Sequence, residues 1–271
     1  MNPAVKNQNE DRSVFFVLRA LRFKNYRLFF VGQIVSLVGT WMQSIALVWL
    51  VYRLTHSTIL LGVVGFTGQI PAFVLAPLAG VVADKRNRRQ ILLITQTLAM
   101  LQSFVLAWLT FTGHISSVGI IWLAIFLGVV IAFDLPTRQA FVVEMVSKDY
   151  LMNAIALNSL MFNSARIIGP VLASILIALK GEAFCFFLNG VSYLAAIWSL
   201  LLIRVPGRVK KGSSGSFWQE LHEGFRYVWF RVGRFCLFPH LCPFPVSAGN
   251  YRLRHNAPDG FQQRTFASPA G

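Results

Sequence analysis

Residues 59–89 read ILLGVVGFTGQIPAFVLAPLAGVVADKRNRR and contain the feature that decides the fold. The first 25 of these residues carry no charged side chain, and the last six include one Asp and four basic residues. A helix of about 20 apolar residues is long enough to cross the hydrocarbon core of a bilayer. The stretch therefore predicts a transmembrane helix that ends in a basic cytoplasmic loop, because basic residues accumulate on the cytoplasmic side of membrane proteins.

Five other runs reach the same length, so the sequence predicts an all-α membrane protein with six transmembrane helices. The composition agrees, since 55% of residues are hydrophobic, 13% are charged and the mean hydropathy is +0.59. A soluble domain carries about a quarter charged residues. The lipid bilayer is thus the expected environment of the chain. The six predicted spans are residues 28–52, 59–83, 90–111, 115–133, 153–179 and 184–203.

The basic residues between these runs predict the orientation of the chain. On one side of the predicted bundle they number 16, and on the other side only Arg53 and Lys180 are found. The 16 residues are Lys6, Arg12, Arg19, Arg22, Lys24, Arg27, Lys85, Arg86, Arg88, Arg89, Arg138, Lys148, Arg204, Arg208, Lys210 and Lys211. This asymmetry predicts a multi-pass protein of the bacterial inner membrane with both ends in the cytoplasm.

Four segments follow from this pattern. Residues 1–27 form a basic cytoplasmic N-terminus, and residues 28–203 form the six-helix bundle. Residues 204–230 form a cytoplasmic linker whose second part has the spacing of a surface helix. Residues 231–271 contain five prolines and one acidic residue. They are interpreted as a disordered tail, for which translation out of frame is an alternative origin.

The loop after the second span carries a family resemblance. Its sequence GVVADKRNRR, residues 80–89, resembles the pattern G-x-x-x-D-[RK]-x-G-[RK]-[RK] of the major facilitator superfamily, with Asn87 in place of the second glycine. Asn tolerates the left-handed backbone that a glycine provides. The resemblance implies a gating loop formed by Gly80, Asp84, Lys85, Arg88 and Arg89. A basic cluster that only sets topology is the alternative.

The fifth predicted span carries a second resemblance. Its residues 165–173, ARIIGPVLA, resemble the Gly-Pro motif in the fifth helix of exporters of this superfamily. Small residues four apart allow two helix backbones to approach closely in lipid. The motif predicts helix packing through Ala165, Gly169, Pro170 and Ala173. The resemblance to exporters implies that transport runs out of the cell.

Three further stretches resemble one branch of the superfamily. Residues 37–43 (LVGTWMQ), 132–140 (AFDLPTRQA) and 154–158 (AIALN) are similar to the branch of the enterobactin exporter and related proton-driven drug and siderophore exporters. A complete member has twelve helices in two halves, so the resemblance implies the N-terminal half of a twelve-helix fold. It implies efflux by alternating access with a missing C-terminal half as partner. The alternatives are a six-helix carrier that works as a homodimer and a non-transporting frameshift fragment.

Polar residues inside the spans are the candidates for substrate binding, because polar groups in hydrocarbon need protein or water around them. Gln33, Ser36, Thr40 and Gln43 form a stripe along the first span. The superfamily resemblance favours this stripe, because the first and fourth helices line the cavity in that family. On the fifth span, Ser159, Asn163 and Arg166 form a second stripe that is expected to point inward. Arg166 lies near the centre of this span, where its partner would be an anionic substrate, a residue of the missing half or nearby Asn and Ser side chains. The alternative is that the span starts later and Arg166 snorkels to the cytoplasmic surface.

Other function classes find little support in the sequence. No metal-ligand spacing, phosphate-binding loop or catalytic motif is present, so we expect no enzyme, no metal and no cofactor. The net charge of +15 lies in loops rather than along one face, which argues against nucleic acid as a partner. Asp84 and Asp134 are expected at cytoplasmic helix ends and Glu182 in an outer turn. The expected partner is a small organic substrate, with the proton gradient as driver by resemblance.

Overall fold

A computed structural model describes residues 19–203 of the chain, which form six long helices and two short 3-10 turns. All six helices are long and apolar enough to cross a membrane, which confirms the all-α membrane fold. The helices are α1 (Lys24–Thr55), α2 (Thr58–Lys85), α3 (Arg88–Phe111), α4 (Ser117–Met145), α5 (Leu151–Lys180) and α6 (Glu182–Leu202). The predicted segments 204–230 and 231–271, and most of segment 1–27, lie outside the described residues.

Each predicted span coincides with one helix, and α4 differs most from its prediction. It continues for twelve residues beyond residue 133 and ends at Met145. Asp134 therefore lies well inside this helix and is buried, so its expected position at a helix end was wrong. Its charge is balanced by Arg138 one turn later, and a helix that pairs its own charges can continue through them.

Successive helices run in opposite directions, so the bundle has two ends at which the connecting turns lie. We call the end that contains residues 84–89 the loop end. There Arg89 of α3 donates to the carbonyl oxygens of Leu200 and Leu201 at the end of α6, across 2.7 and 2.9 Å. At the opposite end Arg53 of α1 forms an ion pair with the buried Glu182 at the start of α6. These contacts fix α6 at both ends.

The packing pattern repeats between the two halves of the bundle. The main contacts join α2 to α4, α1 to α6, α3 to α6, α1 to α5 and α3 to α4. Exchanging α1 with α4, α2 with α5 and α3 with α6 leaves this set unchanged. The bundle therefore consists of two three-helix repeats that run in opposite directions, a feature of many transporter folds.

Equivalent helix pairs in the two repeats meet at glycines. A Cβ on Gly169 of α5 would lie 2.5 Å from the Cβ of Trp41 and 3.0 Å from the backbone nitrogen of Met42, both on α1. A Cβ on Gly128 of α4 would meet the backbone of Gly68 on α2. Because these two glycines have no Cβ, the helix backbones can approach each other closely at both contacts. Helices α2 and α5 are the least buried of the six helices.

Candidate functional site

A cavity of about 230 Å³ lies between α1, α2 and α4, with one contribution from α3. Its walls are mainly aliphatic, and its polar side chains are all uncharged: Thr40, Gln43, Ser44, Gln69 and Gln102. An apolar pocket with a few convergent hydrogen-bonding groups is the usual form of a small-molecule site. Of the predicted substrate residues, Thr40 and Gln43 line this cavity.

The amides at the cavity wall are held by a cluster that we call the amide cluster, formed by Gln43, Gln102, Ser103 and Asn189. Gln43 donates to Gln102 Oε1 across 3.1 Å and accepts from Asn189 Nδ2 across 2.8 Å. Asn189 also donates to Ser103 Oγ across 3.1 Å. All four residues are buried. The cluster therefore fixes the orientation of the two glutamines before any ligand arrives, which lowers the entropy lost on binding.

Thr40 is positioned in a similar way. Its hydroxyl donates to the carbonyl oxygen of Ser36 across 2.9 Å and lies 3.2 Å from the hydroxyl of Tyr193 on α6. Tyr193 is buried among Ala99, Val130 and neighbouring hydrophobic side chains. The side of α1 that faces the cavity is thus supported by α6 from behind.

A second polar cluster lies closer to the loop end and contains a carboxylate. Asp134 of α4 accepts from Thr95 Oγ1 and Gln96 Nε2 of α3, each across 2.8 Å, and forms an ion pair with Arg138. Ser36 of α1 donates to Gln96 Oε1 across 3.4 Å. We call these five residues the carboxylate cluster. It joins three helices through one buried charge.

The predicted stripe on α1 is therefore divided between different environments. Ser36 belongs to the carboxylate cluster, and Thr40 and Gln43 face the cavity. Gln33 is completely buried, and neither polar atom of its side chain hydrogen-bonds to another described residue. Gln33, Ser36 and Gln43 are buried within the described bundle, and their role in substrate binding stays a prediction.

The predicted stripe on α5 lies on the outer surface of the described bundle. Ser159, Asn163 and Arg166 are exposed on the surface of the described bundle rather than packed within it. The Arg166 guanidinium lies over the ring of Trp41, 5.6 Å from its centroid. The packing face of α5 is formed instead by the small residues: Ala165, Gly169 and Ala173 are buried, and Pro170 is half-buried.

The predicted gating loop forms a network around Arg88. This residue donates to the carboxylates of Asp84 (3.0 Å) and Glu144 (2.8 Å) and to the carbonyl oxygens of Ala83 (3.0 Å) and Ala140 (3.2 Å). Asn87 caps α3, since its side chain accepts from the backbone of Arg89. Gly80 has open space where a Cβ would be. Lys85 is the last residue of α2.

Sequence reasoning missed the partners on α3 and α6. Gln96, Gln102 and Asn189 lie inside apolar runs and are completely or almost completely buried. An uncharged polar side chain inside a membrane helix signals a neighbouring polar group, because an unsatisfied group is costly there. Their position in apolar runs could have identified all three residues as buried polar groups. It could not have shown which side chains hydrogen-bond to each other.

The described residues contain no group of three or more His, Cys, Asp or Glu side chains that could hold a metal ion. The polar clusters contain neither a nucleophile next to a base nor a phosphate-binding loop. What they can do chemically is donate and accept hydrogen bonds.

Comparison with known proteins identifies the family. The model of the transmembrane secretion effector family, a group of major facilitator superfamily transporters, matches residues 17–233. The chain is 31% identical to the staphyloferrin A transporter of Staphylococcus aureus over 187 residues, which is 68% of this chain and 46% of that protein. It is 23% identical to the multidrug efflux pump Tap of Mycolicibacterium fortuitum over 200 residues, 71% of this chain and 49% of the pump.

A third relative is the macrolide efflux protein A of Streptococcus pyogenes. It is 21% identical over 223 residues, which cover 80% of this chain and 55% of that protein. The chain thus spans about half the length of the curated relatives it matches. Six membrane-spanning helices and a family match over most of the sequence agree with each other. The chain belongs to the transmembrane secretion effector family of major facilitator superfamily transporters.

Proposed function

We propose that the protein exports small organic molecules, of the drug or siderophore type, from the bacterial cytoplasm by alternating access. The observation that carries the proposal is the cavity between α1, α2 and α4, whose glutamines are oriented by the amide cluster. Relatives named as siderophore and drug transporters support the substrate class. The resemblance of residues 37–43, 132–140 and 154–158 supports the branch of the enterobactin exporter.

In this proposal the six helices form one of two bundles that rock against each other around the substrate. Alternating access requires a second bundle, which a further part of the protein or a second copy supplies. The weakly buried helices α2 and α5 border the face where that bundle docks. The basic residues at the loop end support an inner-membrane orientation in which this end faces the cytoplasm.

The proton gradient drives the cycle in this proposal, as the resemblance to proton-driven exporters implies, and the carboxylate cluster links the helices that have to move. Three donors on two helices converge on the Asp134 side chain: Thr95, Gln96 and Arg138. Loss of the Asp134 charge would leave Arg138 without its ion-pair partner and would weaken the hydrogen bonds between α3 and α4. Because Gln96 also meets Ser36, the change would reach α1, which carries two of the cavity residues.

The test is efflux by the complete protein in a bacterial strain that lacks its own exporters. We expect efflux of a fluorescent dye or a siderophore above the empty-vector control, and we expect a protonophore to abolish it. Asp134→Asn should reduce efflux, whereas Asp149→Asn, an exposed residue outside the cluster, should not. Efflux that persists with the protonophore would contradict the proton drive. Failure to export any substrate from well-inserted protein would contradict the transport proposal.

A further inference from the structure

Arg166 lies at the middle of α5, a helix long and apolar enough to cross a membrane. Fifteen residues separate it from Leu151 and fourteen from Lys180, the two ends of the helix. At 1.5 Å per residue the distance to either end is about 21–22 Å, which is more than the half-thickness of about 15 Å of a hydrocarbon core. An arginine side chain is much shorter than this distance. The guanidinium therefore does not reach the polar residues at either end of its own helix.

The described carboxylates do not neutralise this guanidinium. Among residues 19–203, four of the five acidic side chains form ion pairs with other arginines, and the fifth lies in the turn before α5. The four are Asp84, Asp134, Glu144 and Glu182, and the fifth is Asp149. Among the described residues, Arg166 lies over the ring of Trp41, and Phe162 makes an edge contact with that ring at 5.7 Å between ring centroids. A ring face supports the positive charge but leaves guanidinium N–H groups available for an oxygen acceptor.

These three side chains, which we call the anion platform, include one residue of α1, the helix that also lines the cavity. Trp41 follows Thr40 in α1, and Ser44 lies one turn further along the same side of the helix. Both Thr40 and Ser44 line the cavity, and none of the side chains around the cavity carries a charge. A ligand that contacts the platform and the cavity together would thus meet one positive group and neutral surroundings.

We infer that Trp41, Phe162 and Arg166 bind the acidic group of an exported organic anion whose apolar body lies against the rings or in the cavity. The inference rests on the proposed function, and it names the substrate class. The planar guanidinium matches a carboxylate through two parallel hydrogen bonds, and the rings favour an aromatic or otherwise apolar body next to it. A permanently cationic molecule would meet Arg166 without any carboxylate in the cavity wall, so cationic dyes are the disfavoured class.

Binding of 2-naphthoate and its uncharged analogue 2-naphthamide to the chain in lipid nanodiscs tests this inference, with empty nanodiscs as background. Equilibrium dialysis should give at least about tenfold tighter binding of the acid, the minimum expected for a charged hydrogen-bonding pair. Arg166→Gln should bring the two affinities to the same value. Arg166→Lys keeps the charge and should retain part of the preference. Lys180→Gln, at the exposed end of the same helix, should leave the preference intact.

Equal binding of acid and amide by the unmodified chain would overturn the inference, and it would indicate that Arg166 pairs with a carboxylate of a second bundle. A preference that survives in folded Arg166→Gln would overturn it as well. Because this assay needs no transport, binding without export would contradict the proposed function and support the anion platform. Export of dyes without any preference for the acid would overturn the platform alone.

Discussion

Arg88 of the gating loop donates to Glu144 at the end of α4 across 2.8 Å, and both side chains are more than four-fifths buried. The same guanidinium contacts Asp84, but that carboxylate is 70% exposed. The ion pair with Glu144 therefore holds the gating loop against α4. Asp84, in contrast, presents an accessible negative charge at the loop end. The two acids are expected to serve different purposes.

Asp84→Asn should impair export without lowering stability, whereas Glu144→Gln should lower stability. An exposed ion pair contributes less than about 1 kcal/mol, so Asp84→Asn should leave the unfolding free energy nearly unchanged. Removing the charge of Glu144 leaves a buried guanidinium partly unsatisfied, at a cost of about 1–3 kcal/mol. Thermal unfolding in detergent and efflux in cells measure the two effects. Full export by the Asp84 variant would show that the loop only sets topology.

Asn189→Leu should destabilise the bundle by about 1–3 kcal/mol, because Gln43 and Ser103 would lose a buried donor. It should also weaken substrate binding, since Gln43 would no longer be held in place at the cavity wall. The control is Asn163→Leu, an exposed residue of α5 whose amide contacts only the backbone of Ser159 one turn earlier. Unfolding curves that coincide for the two variants would argue against a structural role of the amide cluster.

Gly169→Ala should destabilise the packing of α5 on α1 by about 1–3 kcal/mol, because the new methyl group would overlap with Trp41 and press on the backbone of Met42. The matched control is Gly62→Ala in α2, where no atom lies within 4 Å of the added Cβ. Alanine favours a helix over glycine by about 1 kcal/mol, so the control should be neutral or stabilising. Thermal unfolding in detergent measures the stability of both variants. A Gly169→Ala variant as stable as the unmodified protein would contradict the close approach of α5 to α1.

Single cysteines in a cysteine-free background should report the orientation. Impermeant reagents added outside the cell should label a cysteine at His114 or Lys180, and they should not reach Asn87 or Ser147 at the loop end. We choose Lys180 rather than Gly181, because Gly181 has a φ of 82° and any side chain there would strain the backbone. Labelling in the reverse pattern would place the loop end outside and contradict the cytoplasmic orientation.

The sequence predicted the number and position of the helices because each span is long, apolar and bounded by charges. It failed at α4, where Asp134 and Arg138 resembled the end of a span. Their mutual ion pair keeps the helix intact, and that pairing depends on side-chain geometry rather than on hydropathy. The stripe on α1 was recognisable because four polar residues share one side. Its partners Gln96, Gln102 and Asn189 could not be assigned, because which helices are neighbours is a property of the packed bundle.

The hydrogen bond between Gln43 and Asn189 joins residues 146 positions apart, the first and the last helix of the bundle. A ribosome working at about 5–20 residues per second needs roughly 7–30 seconds to synthesise that interval. During this time the glutamine has left the ribosome while its final partner does not yet exist. Gln43 of α1 therefore stays without this partner until α6 has been synthesised. Until then the insertion machinery or other helices have to shield it, and the amide cluster forms only afterwards. Slowing of translation before α6 would lengthen this vulnerable period and favour degradation of the nascent chain.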